Sequence, residues 1–264
     1  PEKKIKSIEA EVFGIDIHWL PHAHGAIKTA ELIKKHHPES TVIVGGLSAS
    51  FFWKEILERY PQIDIVFLGD TVELPLALFL GAVKKGRERD RLLNIPNLAW
   101  RDEWGRIRTT GIKWIPKSLD EFEIDYELLL SQVIRTGDLK SWVPFASFLS
   151  SPIGAAPLFK GCVYDCITCG GSKCFYSTFL RRTSISYKSP ETIVRELESL
   201  QCHLRMPFFF MGGIDVYGKK RVIRLARMVK QLGIEVPLMF ETFSPLNEEL
   251  IRILSEMGSV ILQI

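Results

Sequence analysis

The order of apolar and amphipathic segments constrains the fold of this 264-residue chain more than any other feature. In the first third, short apolar runs alternate with helical patterns that end before Pro38 and Pro61. Such alternation is typical of buried parallel strands joined by right-handed helical crossovers. The predicted strands are "EVFGIDI" (11–17), "TVIVGGL" (41–47) and "IDIVFLG" (63–69). We therefore predict a parallel α/β domain over residues 1–94, closed by a helix that follows Glu73.

The middle of the chain, residues 95–152, has a different pattern. The stretch "IPNLAWRDEWGRIRTTGIKWI" (95–115) alternates apolar and polar residues around a charged turn at Asp102 to Gly105. Strict alternation around a polar turn predicts a β-hairpin. The rest of this stretch is interpreted as a connecting segment.

From residue 153 onward the α/β alternation resumes. A strand leads into a cysteine-rich loop, and three further strands, "PFFFMGG", "VPLMFETF" and "SVILQI", are separated by amphipathic helices. These four strands predict a second parallel sheet over residues 153–264. Because the chain starts without Met and stops within a predicted strand, we expect it to be a piece of a longer protein.

Composition excludes several classes of protein. The formal charge of +3, with Lys and Arg scattered along the chain, does not indicate nucleic-acid binding. No apolar run approaches the roughly 20 residues that span a bilayer, and the polar N-terminus does not resemble a signal peptide. The five cysteines all lie at or after position 162, an odd and one-sided set that predicts a reducing, cytoplasmic setting rather than a disulfide framework.

The most specific motif is the triad Cys162, Cys166 and Cys169, with spacing C-x3-C-x2-C. Thiolates bind zinc or iron–sulfur clusters. A zinc site with Cys174 as fourth ligand is one alternative, but zinc ligands usually come as two separated pairs. A 4Fe–4S cluster has four iron corners, so three cysteines leave one corner open for a substrate or cofactor.

The segment "CVYDCITC" resembles the cluster loop of the radical S-adenosylmethionine (radical SAM) superfamily. The resemblance implies that the open iron binds S-adenosylmethionine, and that an electron from the cluster cleaves this cofactor to methionine and a 5′-deoxyadenosyl radical. Thr168 stands where the family commonly has an aromatic residue near the adenine, in a contact made partly by the backbone. Cys174 and Cys202 are not predicted ligands.

The resemblance also assigns S-adenosylmethionine-binding residues in the second domain. Gly212 and Gly213 match the family's glycine pair at the second strand, although Ile214 and Asp215 follow where the family usually has Glu. Glu241, at the end of the third strand, is predicted to reach the ribose or sulfonium. The alternatives are a tight turn for the glycines and a solvated carboxylate for Glu241.

The first domain is similar to the cobalamin-binding modules that precede many radical SAM domains. The fold class is therefore α/β, a doubly wound (Rossmann-like) cobalamin-binding-type domain followed by a partial (β/α) radical SAM barrel. Ligands of such sheets lie at the carboxyl ends of the strands. The predicted cobalamin-binding residues are Asp16, His18, Trp19, Gly45, Gly46, Ser48, Gly69, Asp70 and Glu73. An Asp-x-His-x-x-Gly motif is incomplete at Asp16, so His18 is predicted to line this edge rather than to bind cobalt; the alternative is a domain whose glycines only make turns.

Together these features predict an enzyme with a 4Fe–4S cluster, S-adenosylmethionine and cobalamin as cofactors. The leading interpretation is methyl transfer to an unactivated carbon of a small-molecule, lipid or peptide substrate. The alternative within the superfamily is ring closure, rearrangement or carbon–carbon bond formation without cobalamin methyl transfer. The alternative from another class is a zinc-stabilised binding protein. Ferredoxin or flavodoxin is the expected electron donor.

Overall fold

A computed structural model describes residues 2–86, 92–137 and 150–264. The chain forms two compact units, and neither is continuous in sequence. Unit 1 comprises residues 1–116 and 164–183, and unit 2 comprises residues 117–163 and 184–264. No helix in these described ranges is long and apolar enough to cross a membrane.

Unit 1 is built around a five-stranded sheet with strand order β1-β2-β3-β4-β5. The first three strands are parallel, and β4 and β5 add to the sheet as an antiparallel hairpin. The strands are β1 (Val12–Asp16), β2 (Thr41–Gly45), β3 (Ile65–Phe67), β4 (Leu98–Arg101) and β5 (Ile107–Thr109). The helices are α1 (Glu2–Ser7), α2 (Ala23–His36), α3 (Leu47–Phe51), α4 (Trp53–Arg59) and α5 (Glu73–Val83), with 3-10 turns at Leu20–His22 and Leu92–Asn94.

Both faces of the first sheet are buried, as the continuous apolar runs predict. Along β2, Val42 and Val44 pack with Ala30 of α2 on one face, whereas Ile43 packs with Phe79 of α5 on the other. The predicted parallel strands and the predicted hairpin are therefore confirmed. The hairpin, predicted to lie between the two domains, pairs with β3 and is part of the sheet of unit 1.

Unit 2 contains a parallel four-stranded sheet with order β11-β10-β9-β6. Its strands are β6 (Gly154–Pro157), β9 (Phe208–Gly213), β10 (Leu238–Glu241) and β11 (Val260–Gln263), and β7 (Phe159–Lys160) pairs with β8 (Ser186–Tyr187) in a short antiparallel ladder. The helices are α6 (Tyr126–Thr136), α8 (Pro190–His203), α9 (Ile214–Tyr217), α10 (Lys219–Leu232) and α11 (Glu248–Ser255). A short helix of unit 1, α7 (Lys173–Phe179), lies between β7 and β8 in the sequence. The structure thus has the predicted α/β class, with a Rossmann-like sheet followed by a partial barrel-type sheet.

The core of unit 2 is rich in phenylalanine. Phe208 and Phe210 of β9 and Phe240 of β10 are fully buried, and the Phe210 and Phe240 rings stack with centroids 4.5 Å apart. Helix α8 begins at a Ser189 N-cap whose hydroxyl accepts from the Thr192 N–H, and Pro190 occupies its first turn. The carboxyl ends of β9 and β10 lie side by side, since Gly213 and Glu241 are paired in the strand register.

Candidate functional site

In unit 1, the loops after β1, β2 and β3 meet at one edge of the sheet because these strands are parallel neighbours. We call this edge the rim and define it as residues 16–19, 45–48 and 69–73. All nine predicted cobalamin-binding residues belong to it. Asp16 and Gly45 are paired in the strand register. The structure therefore brings together the three segments that the sequence predicted to converge.

Gly46 allows the first two rim loops to lie in direct contact. Its φ is +107°, and a Cβ atom at this position would lie 2.7 Å from Asp16 Oδ1, from the His18 nitrogen and from the Ile17 carbonyl carbon. Only glycine fits such a close approach with this backbone conformation. The close approach at Gly46 is to the protein's own first rim loop, and the predicted role of Gly46 in cobalamin binding stays a prediction.

The remaining residues of the first two loops have distinct surroundings. The Ser48 hydroxyl donates to the His18 carbonyl at 3.0 Å, so it ties the two loops together. The Trp19 ring is 56% exposed and meets the His18 ring edge-on, with centroids 4.9 Å apart. Trp19 therefore offers apolar surface at the rim, whereas Ser48 is engaged within the protein.

In the third rim loop, Asp70 has a partner within unit 1. Its carboxylate accepts from Arg182 through two hydrogen bonds, Nε to Oδ2 at 2.7 Å and Nη2 to Oδ1 at 3.1 Å. Only 6% of the Asp70 side chain is exposed, so it is committed to this ion pair. Gly69 has φ +116° and its N–H donates to the Ser50 hydroxyl at 2.9 Å. Glu73 is exposed in the first turn of α5.

The cysteine motif lies on the loop between β7 and α7. Cys162 is half-buried, Cys166 and Cys169 are exposed, and all five cysteines of the chain are thiols. The Gly171 N–H donates to Cys169 Sγ at 3.4 Å. Backbone N–H donation stabilises thiolate sulfur and is a usual feature of iron–sulfur sites. Thiol side chains of this kind are the donor type that iron–sulfur clusters use.

Side chains in the described ranges do not form a closed metal site: no group of three or more His, Cys, Asp or Glu is close enough together to hold an ion. Ile167 and Thr168, between the second and third cysteines, point into solvent, and Ile167 is 102% exposed. The exposed apolar Ile167 side chain is accessible to a ligand at this loop.

In unit 2, the glycine pair ends strand β9. Gly212 has φ +111°, and a Cβ atom there would lie 2.9 Å from the Phe159 ring. A Cβ atom at Gly213 would lie 2.6 Å from Asp215 Oδ1 and 2.9 Å from the Phe243 ring. Both positions require glycine for packing within the protein as well as for any ligand. A bulky substitution at either position would therefore test the fold and the ligand site together.

The two acidic residues predicted near S-adenosylmethionine have partners within unit 2. Glu241 Oε1 accepts from the Gly212 N–H at 2.6 Å, across the neighbouring strands β9 and β10. Asp215 Oδ2 accepts from the Ser244 hydroxyl at 2.9 Å, and Oδ1 accepts from Thr242 Oγ1 at 3.3 Å. Because the Gly212 N–H already donates to Glu241, the carbonyl oxygens of the glycine pair are its backbone groups that can accept a hydrogen bond from the amino group of a ligand. Glu241 acts here as a support for the glycine turn.

The other two cysteines have separate surroundings. Cys174 is the second residue of α7, where its N–H donates to Asp165 Oδ1 at 2.8 Å. Cys202 lies near the C-terminal end of α8, in a surface groove of about 580 Å³ that Arg205 and Glu235 also line. Among the residues that the structure describes, Cys202 belongs to no group of His, Cys, Asp or Glu side chains that could hold a metal ion.

Sequence reasoning missed several residues that shape these sites. Arg182, Ser50 and Asn97 are buried around the third rim loop, and Thr242 and Ser244 hold Asp215. Asn97 has φ +63°, a conformation enriched in asparagine, and its Oδ1 accepts from the Trp114 N–H. Arg182 has no sequence signal because its partner lies 112 residues away.

Comparison with known proteins shows one family match and several similar proteins. Residues 1–78 match the family model described as B12 binding domain. Two similar curated proteins are the anaerobic magnesium-protoporphyrin IX monomethyl ester cyclases of Rubrivivax gelatinosus and Cereibacter sphaeroides. The first is 22% identical over 236 residues, 88% of this chain and 39% of that protein. The second is 22% identical over 196 residues, 73% of this chain and 28% of that protein. This chain therefore spans well under half the length of both relatives.

Solved structures share the fold along nearly the whole chain. One is the radical S-adenosylmethionine methyltransferase TsrM from Kitasatospora setae with cobalamin and a 4Fe-4S cluster bound, with TM-score 0.70, 16% identity and coverage of 98% of this chain and 49% of that one. The same protein with a tryptophan substrate and a SAM analog bound gives TM-score 0.68 at 17% identity, with the same coverage. At this level of identity the likeness establishes the fold.

Proposed function

We propose that this chain, a cobalamin-binding-domain-containing member of the radical SAM superfamily, is the cofactor-binding part of an enzyme that cleaves S-adenosylmethionine reductively and uses a corrinoid. One observation carries the proposal: a single chain joins a B12 binding domain match over residues 1–78 to a C-x3-C-x2-C loop that follows β6, the first strand of a second parallel sheet. Neither a zinc-stabilised binding protein nor a simple doubly wound domain requires both features.

In this proposal Cys162, Cys166 and Cys169 each bind one iron of a 4Fe–4S cluster. The Gly171 N–H, which donates to Cys169 Sγ, lowers the charge density on that sulfur. When bound, the cluster would supply the electron that cleaves S-adenosylmethionine, and the corrinoid would supply a transferable methyl group. The open iron corner requires that no fourth cysteine bind the cluster. Cys174 is therefore a residue of α7 and not a cluster ligand in this proposal.

The chain's other predicted residues hold the two organic cofactors. Gly212 and Gly213 present backbone carbonyl groups to the amino group of S-adenosylmethionine, and Glu241 and Asp215 fix the shape of that strand end. Thr168 contributes backbone contact beside the third cysteine. In unit 1, the rim glycines and Trp19 provide close backbone approach and apolar surface for a corrinoid.

We propose methyl transfer to an unactivated carbon as the reaction, in the cytoplasm, with ferredoxin or flavodoxin as electron donor. The solved structure that shares the fold belongs to a methyltransferase, which supports this reaction. Ring closure is the second candidate, and it is favoured by a specific observation: the two similar curated proteins are named cyclases. Product analysis with the full-length protein distinguishes them, because methyl transfer adds one carbon to the substrate and ring closure adds none.

The test of the cofactor assignment is metal analysis of the full-length protein after anaerobic reconstitution with iron and sulfide. We expect about four irons per chain, absorbance near ~400 nm, and slow formation of 5′-deoxyadenosine from S-adenosylmethionine after reduction. Ala at Cys162, Cys166 or Cys169 should abolish all three signals. The matched controls Cys174→Ala and Cys202→Ala should retain them.

The zinc alternative predicts a different outcome. Stoichiometric zinc that survives purification and is lost in Cys174→Ala would contradict the three-cysteine assignment. Iron incorporation without cleavage of S-adenosylmethionine would keep the cluster but remove the proposed activity.

A further inference from the structure

The segment that follows the cysteine loop is anchored to the rim by a buried arginine. Arg182 lies three residues after the end of α7, and only 1% of its side chain is exposed. Its guanidinium makes the bidentate pair with Asp70, and Nη2 also donates to Thr71 Oγ1 at 2.9 Å. Asp70 and Thr71 both belong to the third rim loop. Bidentate arginine–carboxylate pairs fix orientation as well as distance.

A second contact holds the same segment. The Phe51 ring, at the end of α3, meets the Phe179 ring of α7 with centroids 4.7 Å apart and stacks near the Phe175 ring at 6.0 Å. Helix α3 follows β2 directly, so this contact reaches the second rim loop. Both anchors lie within unit 1.

The cysteine loop is joined to α7 by short-range hydrogen bonds. The Lys173 N–H donates to the Tyr164 carbonyl at 2.8 Å, and the Cys174 N–H donates to Asp165 Oδ1. Ser172, which caps α7, donates its N–H to the Cys169 carbonyl at 3.3 Å. A continuous set of packed and hydrogen-bonded groups therefore runs from the part of the loop that carries Cys166 and Cys169 to the rim.

We propose that Arg182 is a positioning residue that couples ligand binding at the rim to cluster binding by the cysteine loop. This inference rests on the proposed function, because it assigns the corrinoid to the rim and the cluster to the loop. A corrinoid that orders the third rim loop also orders Asp70 and Thr71, and through Arg182 it restricts α7 and the loop before it. By linkage, the cluster tightens corrinoid binding by the same factor by which the corrinoid stabilises the cluster.

The experiment measures this coupling factor directly in the full-length protein. Hydroxocobalamin is titrated anaerobically into protein with and without the reconstituted cluster, and the ratio of the two dissociation constants is the coupling factor. For the wild type we expect a ratio within the usual range of about 5- to 150-fold. Arg182→Lys keeps the charge but loses the bidentate fork, so its ratio should fall toward 1 while each ligand still binds alone.

Matched variants separate coupling from folding. Arg195→Lys alters an exposed arginine–carboxylate pair with Glu123 in unit 2, and its ratio should equal that of the wild type. If Arg182→Lys does not fold, as judged by near-ultraviolet circular dichroism, Thr71→Val replaces it. This near-isosteric change removes only the Nη2 hydrogen bond and should give an intermediate ratio.

A second readout measures the stability of the cluster instead of the dissociation constant of hydroxocobalamin. Addition of hydroxocobalamin should slow the loss of iron to a chelator in the wild type and in Arg195→Lys, but not in Arg182→Lys. A wild-type ratio of 1, or a ratio unchanged in the folded Arg182 or Thr71 variant, would overturn the inference. Failure of the wild type to bind either iron or hydroxocobalamin would instead contradict the proposed function.

Discussion

At the scale of single residues, the neighbouring glycines Gly45 and Gly46 leave different space for a side chain, and the sequence does not show this difference. A Cβ atom at Gly45 would meet only Phe67 Cβ, at the ordinary contact distance of 3.7 Å. A Cβ atom at Gly46 would meet backbone atoms of the first rim loop at 2.7 Å, with φ at +107°. The sequence shows the same residue twice, but only the second is required by the close approach of two loops.

We predict that Gly46→Ala lowers the free energy of unfolding by about 2 kcal/mol or more, because it combines left-handed backbone strain with a steric clash. Urea denaturation measures the loss, and retention of hydroxocobalamin should fall with it. Gly45→Ala is the matched control and should change the unfolding free energy by less than about 1 kcal/mol. Equal losses in both variants would contradict the observed approach of the first two rim loops.

The structure also shows which residue roles could be predicted from sequence. Convergence of the rim segments and the position of the cysteines on one loop follow from local patterns and from parallel strand order. The partners of Asp70 and Glu241 do not, because Arg182 and the Gly212 N–H reach them through tertiary packing. A carboxylate at a strand end can bind a ligand or an internal partner, and the sequence does not distinguish the two unless the segments packed beside it are known.

At the scale of elements, most helices and strands begin and end within a few residues of their predicted bounds. Periodicity predicts them because both sheets are buried and their helices are amphipathic. Two features differ. The helical pattern that ends before Pro61 corresponds to α4, and a further short helix, α3, precedes it across Phe52. The segment expected to connect the domains contains α6, whose Asp125 N-cap accepts from the Leu128 N–H at 2.8 Å.

Helix α8 is attached to strand β8 by a buried ion pair that periodicity cannot reveal. Lys188 Nζ donates to Glu196 Oε1, which also accepts from the Ile124 N–H at 2.7 Å. Both side chains are at most 1% exposed. Burial raises the pKa of the Glu196 carboxyl, against the lowering effect of the Lys188 ammonium. Glu196 Oε2 has no hydrogen-bond partner among the described residues.

We predict that Lys188→Met alone costs about 3–5 kcal/mol of unfolding free energy at neutral pH, because it leaves a lone buried carboxylate. The loss should shrink as the pH falls, since a carboxyl whose pKa is raised in the folded state binds its proton more tightly there than in the unfolded chain. The double variant Lys188→Met with Glu196→Gln keeps an acceptor for Ile124 and should recover most of the stability. Urea unfolding at several pH values measures both effects, and a double variant no more stable than the single one would contradict them.

At the scale of the whole molecule, the chain spans 39% and 28% of the two curated relatives and 49% of the solved chain that it matches. The fold class and the proposed cofactor-binding loops lie within this part, whereas no sequence pattern in it marks the residues that select a substrate. For that reason the proposals on substrate and reaction depend on product analysis with the full-length protein.

We predict that the full-length protein binds cobalamin without a protein histidine on cobalt. The Asp-x-His-x-x-Gly motif is incomplete at Asp16, and the His18 ring is half-buried against Trp19. After incubation with hydroxocobalamin, desalting and reduction, electron paramagnetic resonance of Co(II) should show no nitrogen coupling from a protein imidazole. His18→Ala and the control His22→Ala should give the wild-type spectrum. Coupling that disappears only in His18→Ala would contradict the prediction.

The discontinuity of unit 1 has a consequence for biosynthesis. Asp70 and Arg182 are 112 residues apart, so at about 5–20 residues per second the ribosome makes the arginine roughly 6 to 22 seconds after its partner. Residues 117–163, which belong to unit 2, are synthesised in this interval. The first unit therefore cannot finish folding as its own sheet emerges. Until residue 183 has left the ribosome, Asp70 lacks its ion pair with Arg182 and Phe51 lacks its contacts with Phe175 and Phe179, so this edge of the unit is completed late in synthesis.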